Sequence, residues 1–243
     1  MCTVTYISKG ENSFILTTNR DEQAARSPRS LDGEQIGGQN VFFPRDRGAG
    51  GTWVAASDNH RVVCVLNGAY DRHDRRPPYR RSRGLMALDF FGFDRASSFF
   101  KQYRFEGMEP FTMLLLERGR LWELRWDEKK KHIKELDPGR EHIWSSATLY
   151  PPEIRNKRQK WFDEWLEEHP YPELNDVLHF HKTGGEGDPW NDIVMNREGM
   201  VQTVSITSIV RNTREIELCY RNILQGTASL KKIPYSGDVV GSH

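Results

Sequence analysis

At 243 residues, with no break in composition along its length, the chain reads as one large domain spanning 1–243. Its 37% hydrophobic residues suffice for a core, while 28% charged residues and a formal charge of +1 exclude both a membrane-embedded chain and a general affinity for nucleic acid. No apolar run approaches the roughly 20 residues of a membrane span and no secretory leader pattern opens the chain, while three cysteines that are odd in number and far apart imply reduced thiols in a cytoplasm, with no disulfide framework and no zinc site.

Residues 1–7 and 13–18 are rich in Val, Ile, Thr, Tyr and Phe and flank a turn at Ser8-Lys9-Gly10-Glu11-Asn12, so the chain is expected to open with a β-hairpin. Closed around Gly10, the hairpin sets Cys2 opposite Thr18 or Asn19, within about one residue of register. Arg20 and Asp21 follow at the same end. A thiol, a guanidinium and a carboxylate are thereby expected together, unless Cys2 is a plain buried strand residue and Arg20–Asp21 a surface ion pair. Removal of Met1 would leave an α-amino group of pKa ~7.7–8.0 on the residue whose thiol titrates near ~8.5, so the amine can act as base for its own side chain. Arg20 would favour the thiolate further.

Residues 23–40 are polar and Gly-rich without periodicity and read as a long loop. Val41–Pro44 is a short extended piece. Thr52–Ala56 is a strand entered through Gly48-Ala49-Gly50-Gly51, glycines that permit close approach of backbone to a ligand or to a neighbouring strand. No Lys-Ser/Thr follows them, so they do not form a phosphate loop. Arg61–Leu66 is nearly continuous in apolar residues and is expected to be buried on both faces. Asn67-Gly68 closes it, either as a simple turn or with the Asn67 amide or Gly68 N–H presented to an oxyanion. Residues 71–83 hold six arginines, a basic patch that is either a solvated loop or an anion-binding rim.

Gly84–Phe93 and Arg95–Tyr103 have helical spacing, and Phe111–Leu116, Gly119–Trp126 and His132–Leu136 are successive strands. Pro151–Glu168 and Pro172–His181 are helices. His179 and His181, two apart, make a poor metal pair. Val201–Val210 and Glu215–Tyr220 form a closing hairpin, and the tail after Ile233 is expected to be mobile.

Cys2-Thr3, Asn19-Arg20-Asp21-Glu22, Gly50-Gly51-Thr52-Trp53, Leu66-Asn67-Gly68 and Ser82-Arg83-Gly84 together resemble the NRDE family, also called transport and Golgi organisation protein 2, which is similar to N-terminal-nucleophile hydrolases. The resemblance is tight over residues 1–90. It implies an α+β fold, a four-layer αββα sandwich of antiparallel sheets with the nucleophile at the start of a central strand. It also implies catalytic roles for Cys2, Arg20, Asp21 and Asn67, with Asn19, Trp53, Gly68, Arg83 and Ser146 around a small-molecule substrate and no metal or cofactor. Ser146 stands where the family has Asn, and Val204 where it often has Arg. The function implied is hydrolysis or transfer of a small amide or acyl group through an acyl-Cys2. The rival is a non-catalytic carrier of a hydrophobic or anionic metabolite, haem or lipid.

Overall fold

The computed structural model describes residues 3–10 and 12–234, so Cys2 and the tail beyond 234 lie outside the described residues. Two antiparallel sheets stack face to face. The first has the spatial order β10 (His142–Ser145), β1 (Thr3–Ser8), β2 (Phe14–Glu22), β12 (Val201–Arg211), β13 (Glu215–Asn222) and β14 (Thr227–Pro234), with β11 (Asn196–Arg197) also pairing β12. The second is a meander in chain order: β3 (Leu31–Ile36), β4 (Gln39–Pro44), β5 (Val54–Ser57), β6 (Val62–Asn67), β7 (Phe111–Glu117), β8 (Arg120–Trp126) and β9 (Lys131–Leu136). Helices α1 (Arg83–Asp89) and α2 (Ala96–Gln102) cover the outer face of the meander, and α3 (Pro152–Glu168) and α4 (Leu174–Thr183) cover the outer face of the first sheet. This is the four-layer αββα sandwich.

Strand alternation builds the layers. Along β6, Val63 and Val65 point at Met86, Phe90 and Phe99 of the α1–α2 layer, while Val62, Cys64 and Leu66 point into the space between the sheets. The strand therefore has no polar face to show. Along β2, Phe14 and Leu16 enter the inter-sheet core and Ile15 meets Phe162 and Phe180 of the α3–α4 layer. Three apolar cores separate four layers.

Several expectations are corrected. The opening hairpin pairs Thr3 with Asn19 and Ser8 with Phe14, a register further along than a turn centred on Gly10 would give. The chain reverses instead between Lys9 and Ser13, with Lys9 N–H donating to Ser13 O at 2.8 Å and Ser13 N–H to Gly10 O at 2.7 Å. Residues 23–40 are not loop throughout, since β3 and β4 form a hairpin around Gly37-Gly38, both at positive φ. As an edge strand β3 buries no residue, so it lacks the apolar alternation that marks a strand in a sequence. Strand β14 lacks it too, because Ile233 is its one buried side chain. Helix α4 starts two residues later than expected. Glu173 caps it reciprocally with Asp176, which satisfies two end N–H groups.

Candidate functional site

The sandwich has two ends. At one lie the C-termini of β2 and β6, the N-terminus of β1 and the entry to β5. Arg20, near the end of β2, faces the inter-sheet space there, buried and with its guanidinium 4.3 Å above the Trp53 ring. It pairs with Asp46, lies 3.7 Å from Glu22, and donates from Nη1 to the Arg26 carbonyl at 3.2 Å. Burial pulls its pKa down against the opposing pull of Asp46 and Glu22. Asp46 accepts from Arg26 Nη2 at 2.7 Å and from the Gly48 and Ala49 N–H groups at 2.8 Å. Burial alone would raise the Asp46 pKa, but Arg20, the Ala49 N–H and Arg26 outweigh it and hold the carboxyl below its usual range.

The glycines before β5 have a structural cause. A Cβ on Gly51 would stand 2.3 Å from the Gly84 carbonyl carbon, and one on Gly84 would stand 2.9 Å from the Thr52 oxygen. The backbone approached so closely is the start of α1, where Thr52 N–H donates to Gly84 O at 3.1 Å. The contact seats Arg83 beside the cavity. Arg83 pairs with Glu109 at 3.1 Å and donates to Pro110 O, also at 3.1 Å; burial lowers its pKa and Glu109 opposes this.

Asn67 ends β6, half-buried, with its side chain in the cavity wall and no hydrogen bond to that amide among the described residues. Gly68 follows at φ +81°, and a Cβ there would press on Ala147 and Thr148. Its N–H donates to Pro110 O at 3.1 Å, so of the pair only the Asn67 amide is left without a partner among the described residues. Ser146, fully buried, donates to the Asn67 carbonyl at 2.9 Å and lies 3.0 Å from Thr148 Oγ1. It fixes the turn that carries Asn67.

These residues enclose a cavity of about 560 Å³ whose wall includes Arg20, Trp53, Asn67 and Arg83. The arginine-rich stretch forms its rim, with Arg72, Arg75 and Arg81 all contributing. Six arginines against three carboxylates line the site, so its field favours an anionic guest. Glu109 gathers part of this charge, with His73 Nε2 at 3.2 Å and Arg75 at 3.6 Å besides Arg83.

Asn19 and Asp21 turn the other way, as strand alternation demands. The Asn19 amide donates to His181 O at 3.0 Å and Ile193 O at 2.8 Å and accepts from His181 Nδ1 at 2.6 Å. Asp21 accepts from Tyr150 Oη at 2.8 Å and Thr203 Oγ1 at 2.6 Å. The structure therefore separates Arg20 from Asp21, which were expected side by side, and places neither Asn19 nor Asp21 in the cavity wall. Opposite them β12 bulges at Val204, between Thr203, which pairs with Asp21, and Ser205, which pairs with Arg20.

The sequence profile of the Transport and Golgi organisation 2 (TANGO2) family matches residues 1–219. The chain belongs to that family. Compared by sequence with curated proteins, it matches none. Among solved structures, this TANGO2-family chain is similar to two variants of conjugated bile acid hydrolase from Clostridium perfringens. One, a cysteine-to-alanine variant, gives a TM-score of 0.64 at 8% identity, over 96% of this chain and 92% of that one. The other, an arginine-to-leucine variant, gives 0.63 at 8% identity, over 95% and 92%. It is also similar to a Caenorhabditis elegans ortholog of N-acylethanolamine-hydrolyzing acid amidase, with a TM-score of 0.58 at 11% identity over 86% and 92%. At such identities the likeness establishes the fold, that of N-terminal-nucleophile hydrolases. No helix among the described residues is long and apolar enough to cross a membrane.

Three residues of this TANGO2-family site carry no local signal in the sequence. Asp46 sits in Arg45-Asp46-Arg47-Gly48, readable as a turn but not as the partner of Arg20. Glu109 precedes a proline with nothing to mark it. His181, whose spacing from His179 suits no metal, has the task of holding Asn19. It is fully buried, and that burial, with Arg158 nearby, pushes its pKa down to about 3. The neutral ring donates from Nδ1 to Asn19 Oδ1 and accepts at Nε2 from Thr5 Oγ1, 2.7 Å away. This tautomer is the one the surrounding donors and acceptors require.

Proposed function

We propose that the protein is an N-terminal cysteine amidohydrolase acting on a small amide that carries an anionic group. The observation that supports this is the meeting, at one end of the sandwich, of the cavity with the first rung of β1. Thr3 pairs there with Asn19 and Ser145, and Cys2 is the next residue in the chain. The three neighbouring structures are bile acid hydrolases and an acid amidase by name, which favours C–N bond hydrolysis on the shared fold.

With Met1 removed, the α-amine takes the thiol proton and the thiolate attacks the amide carbonyl carbon. The Asn67 amide donates to the oxyanion that forms. Collapse breaks the C–N bond, and the leaving amine takes the proton from the α-ammonium. Water then adds to the thioester, giving the carboxylic acid and restoring the thiol. Arg83, Arg72 and Arg75 hold the anionic end of the substrate, and Arg20 braces Trp53 in the cavity floor. The fold from β1 to β14 acts in this reading as a single unit. Cys64 and Cys219 are free and suit a reducing compartment; burial raises the pKa of both thiols, most strongly for the fully buried Cys64, so neither competes with Cys2. The carrier alternative draws on the same arginine rim, but Trp53, Val65 and Tyr79 are the main apolar elements of the wall, a poor match to a haem or a long acyl chain.

The test is intact-mass analysis to establish removal of Met1, followed by a turnover screen of N-acyl amino acids on wild type and Cys2→Ser. Turnover in wild type that falls at least about a thousandfold in Cys2→Ser, with substrate binding retained, is expected. Retention of Met1, or tight binding without turnover in either protein, would overturn the hydrolase reading and favour the carrier.

A further inference from the structure

The opposite end of the sandwich carries a second cavity, of about 220 Å³, between the hairpin turns of the two sheets. Arg211, the last residue of β12, lines it. Arg211 pairs with Phe14 on β2, whereas Arg20 pairs with Ser205 on the same ladder, so about six residues, or roughly 20 Å of strand, separate the two sites. Alternation from Ile209, which lies in the inter-sheet core, turns the Arg211 side chain inward.

The Arg211 guanidinium is anomalous. The residue is 8% exposed, and its side chain has neither an ion pair nor a hydrogen bond among the described residues. Other buried arginines here are matched: Arg20 has Asp46, Arg61 has Glu117, and Arg158 donates to the carbonyls of Asn191 and Asp192. The Arg211 Nε is shut off from solvent while the Nη groups are not, so the fork opens to the cavity with no protein group among the described residues to receive it. What surrounds it has the character of a ligand pocket. Tyr6 and Phe14, with ring centroids 5.5 Å apart, and Leu116 supply an apolar wall; Ser8 and Ser13 supply hydroxyls. Arg120 stands at the same cavity but is held bidentately by Glu135, with bonds of 2.7 and 2.6 Å.

We propose that this cavity binds a small monocarboxylate with a compact apolar body, its carboxylate received by the Arg211 fork and its body packed on Tyr6 and Phe14. A guanidinium matches a carboxylate in plane and spacing. The volume admits a single ring or a short chain, and the aromatic wall favours that over a bare inorganic anion. The site is independent of the amidohydrolase reading, shares none of the residues assigned to it, and stands or falls separately.

The experiment uses the full chain, with benzoate and inorganic phosphate as probes. The Arg211 Nε–H resonance is identified in an ¹⁵N spectrum by its loss in Arg211→Gln, then followed through each titration. Benzoate is expected to shift it saturably, with calorimetric affinity falling about tenfold or more in Arg211→Gln and less than about twofold in Arg72→Gln at the other cavity. Ligand-free Arg211→Gln is expected to melt no lower than wild type, and wild type should gain more melting temperature with benzoate than the variant does. No shift with benzoate, or a shift with phosphate alone, overturns the proposal. So does a ligand-free Arg211→Gln that melts several degrees below wild type, since the guanidinium would then be part of the fold.

Discussion

The two faces of β2 do different work with adjacent residues. Arg20 looks into the inter-sheet space, stacked on Trp53 and paired with Asp46 in the wall of the large cavity. Asn19 and Asp21 look the other way, where Asn19 grips His181 of α4 and the Ile193 carbonyl beyond that helix, and Asp21 takes hydroxyls from Tyr150, ahead of α3, and from Thr203 of β12. A contiguous motif is thus divided by the two-residue period of the strand into a cavity part and a clamping part. Asn19 ties β2 to α4, and Asp21 ties it to Tyr150 and to the neighbouring, bulged strand β12. Changes on the outer face should be read mainly in stability. Changes on the inner face should be read mainly in ligand handling.

The largest effect is expected from Asn19→Ala. It leaves the His181 Nδ1–H and the carbonyls of His181 and Ile193 buried without their partner. At roughly 1–3 kcal/mol for each orphaned group, a loss of about 4 kcal/mol is expected in urea denaturation. A loss below about 1 kcal/mol would show that the clamp is not where the outer face contributes.

The same face should give the protein a pH dependence through His181. Its folded pKa of about 3 lies below its unfolded value of 6.5, so between those limits the unfolded chain binds more protons. The contribution of the neutral ring is complete above about pH 6.5 and is lost as pH falls toward 3. From pH 7 to pH 5 this amounts to about 2 kcal/mol. Denaturation at the two pH values should show that loss in wild type and much less of it in His181→Gln. Equal losses in both proteins would remove His181 from the account.

The legibility of the chain follows the same division. Strands buried on both faces, β6 and β7, announce themselves by continuous apolar runs, and the amphipathic helices by their spacing. Strands β3 and β14 bury almost nothing, and their residues resemble a loop because hydrogen bonds to one neighbour, not side-chain burial, make them strands. At the site, Arg20, Trp53, Asn67 and Arg83 stand in recognisable motifs and do line one cavity. Their partners Asp46 and Glu109, and the His181 that holds Asn19, are not legible, because the pairings exist only after distant segments pack. The opposed directions of Arg20 and Asp21 are available from strand periodicity alone. Reading the motif as one cluster overlooks it.

The smallest stability effect, and the sharpest test of the inner face, is expected from Arg20→Lys. The charge opposite Asp46 survives, so the ion pair is not orphaned and the costly outcome of a lone buried carboxylate is avoided. What disappears is the planar fork: the Nη1 bond to the Arg26 carbonyl and the guanidinium 4.3 Å above the Trp53 ring. One hydrogen bond and one cation–π contact together correspond to about 1–2 kcal/mol, less than the loss expected for Asn19→Ala. Trp53, no longer pinned, can tilt into the cavity. Its indole fluorescence should change, and the capacity of the protein to turn over or bind an anionic amide should drop about tenfold or more while the melting temperature moves by only a few degrees. Activity and binding that followed stability in proportion, as expected for Asn19→Ala, would mean that Arg20 is one more clamp and that the two faces of β2 do not differ after all.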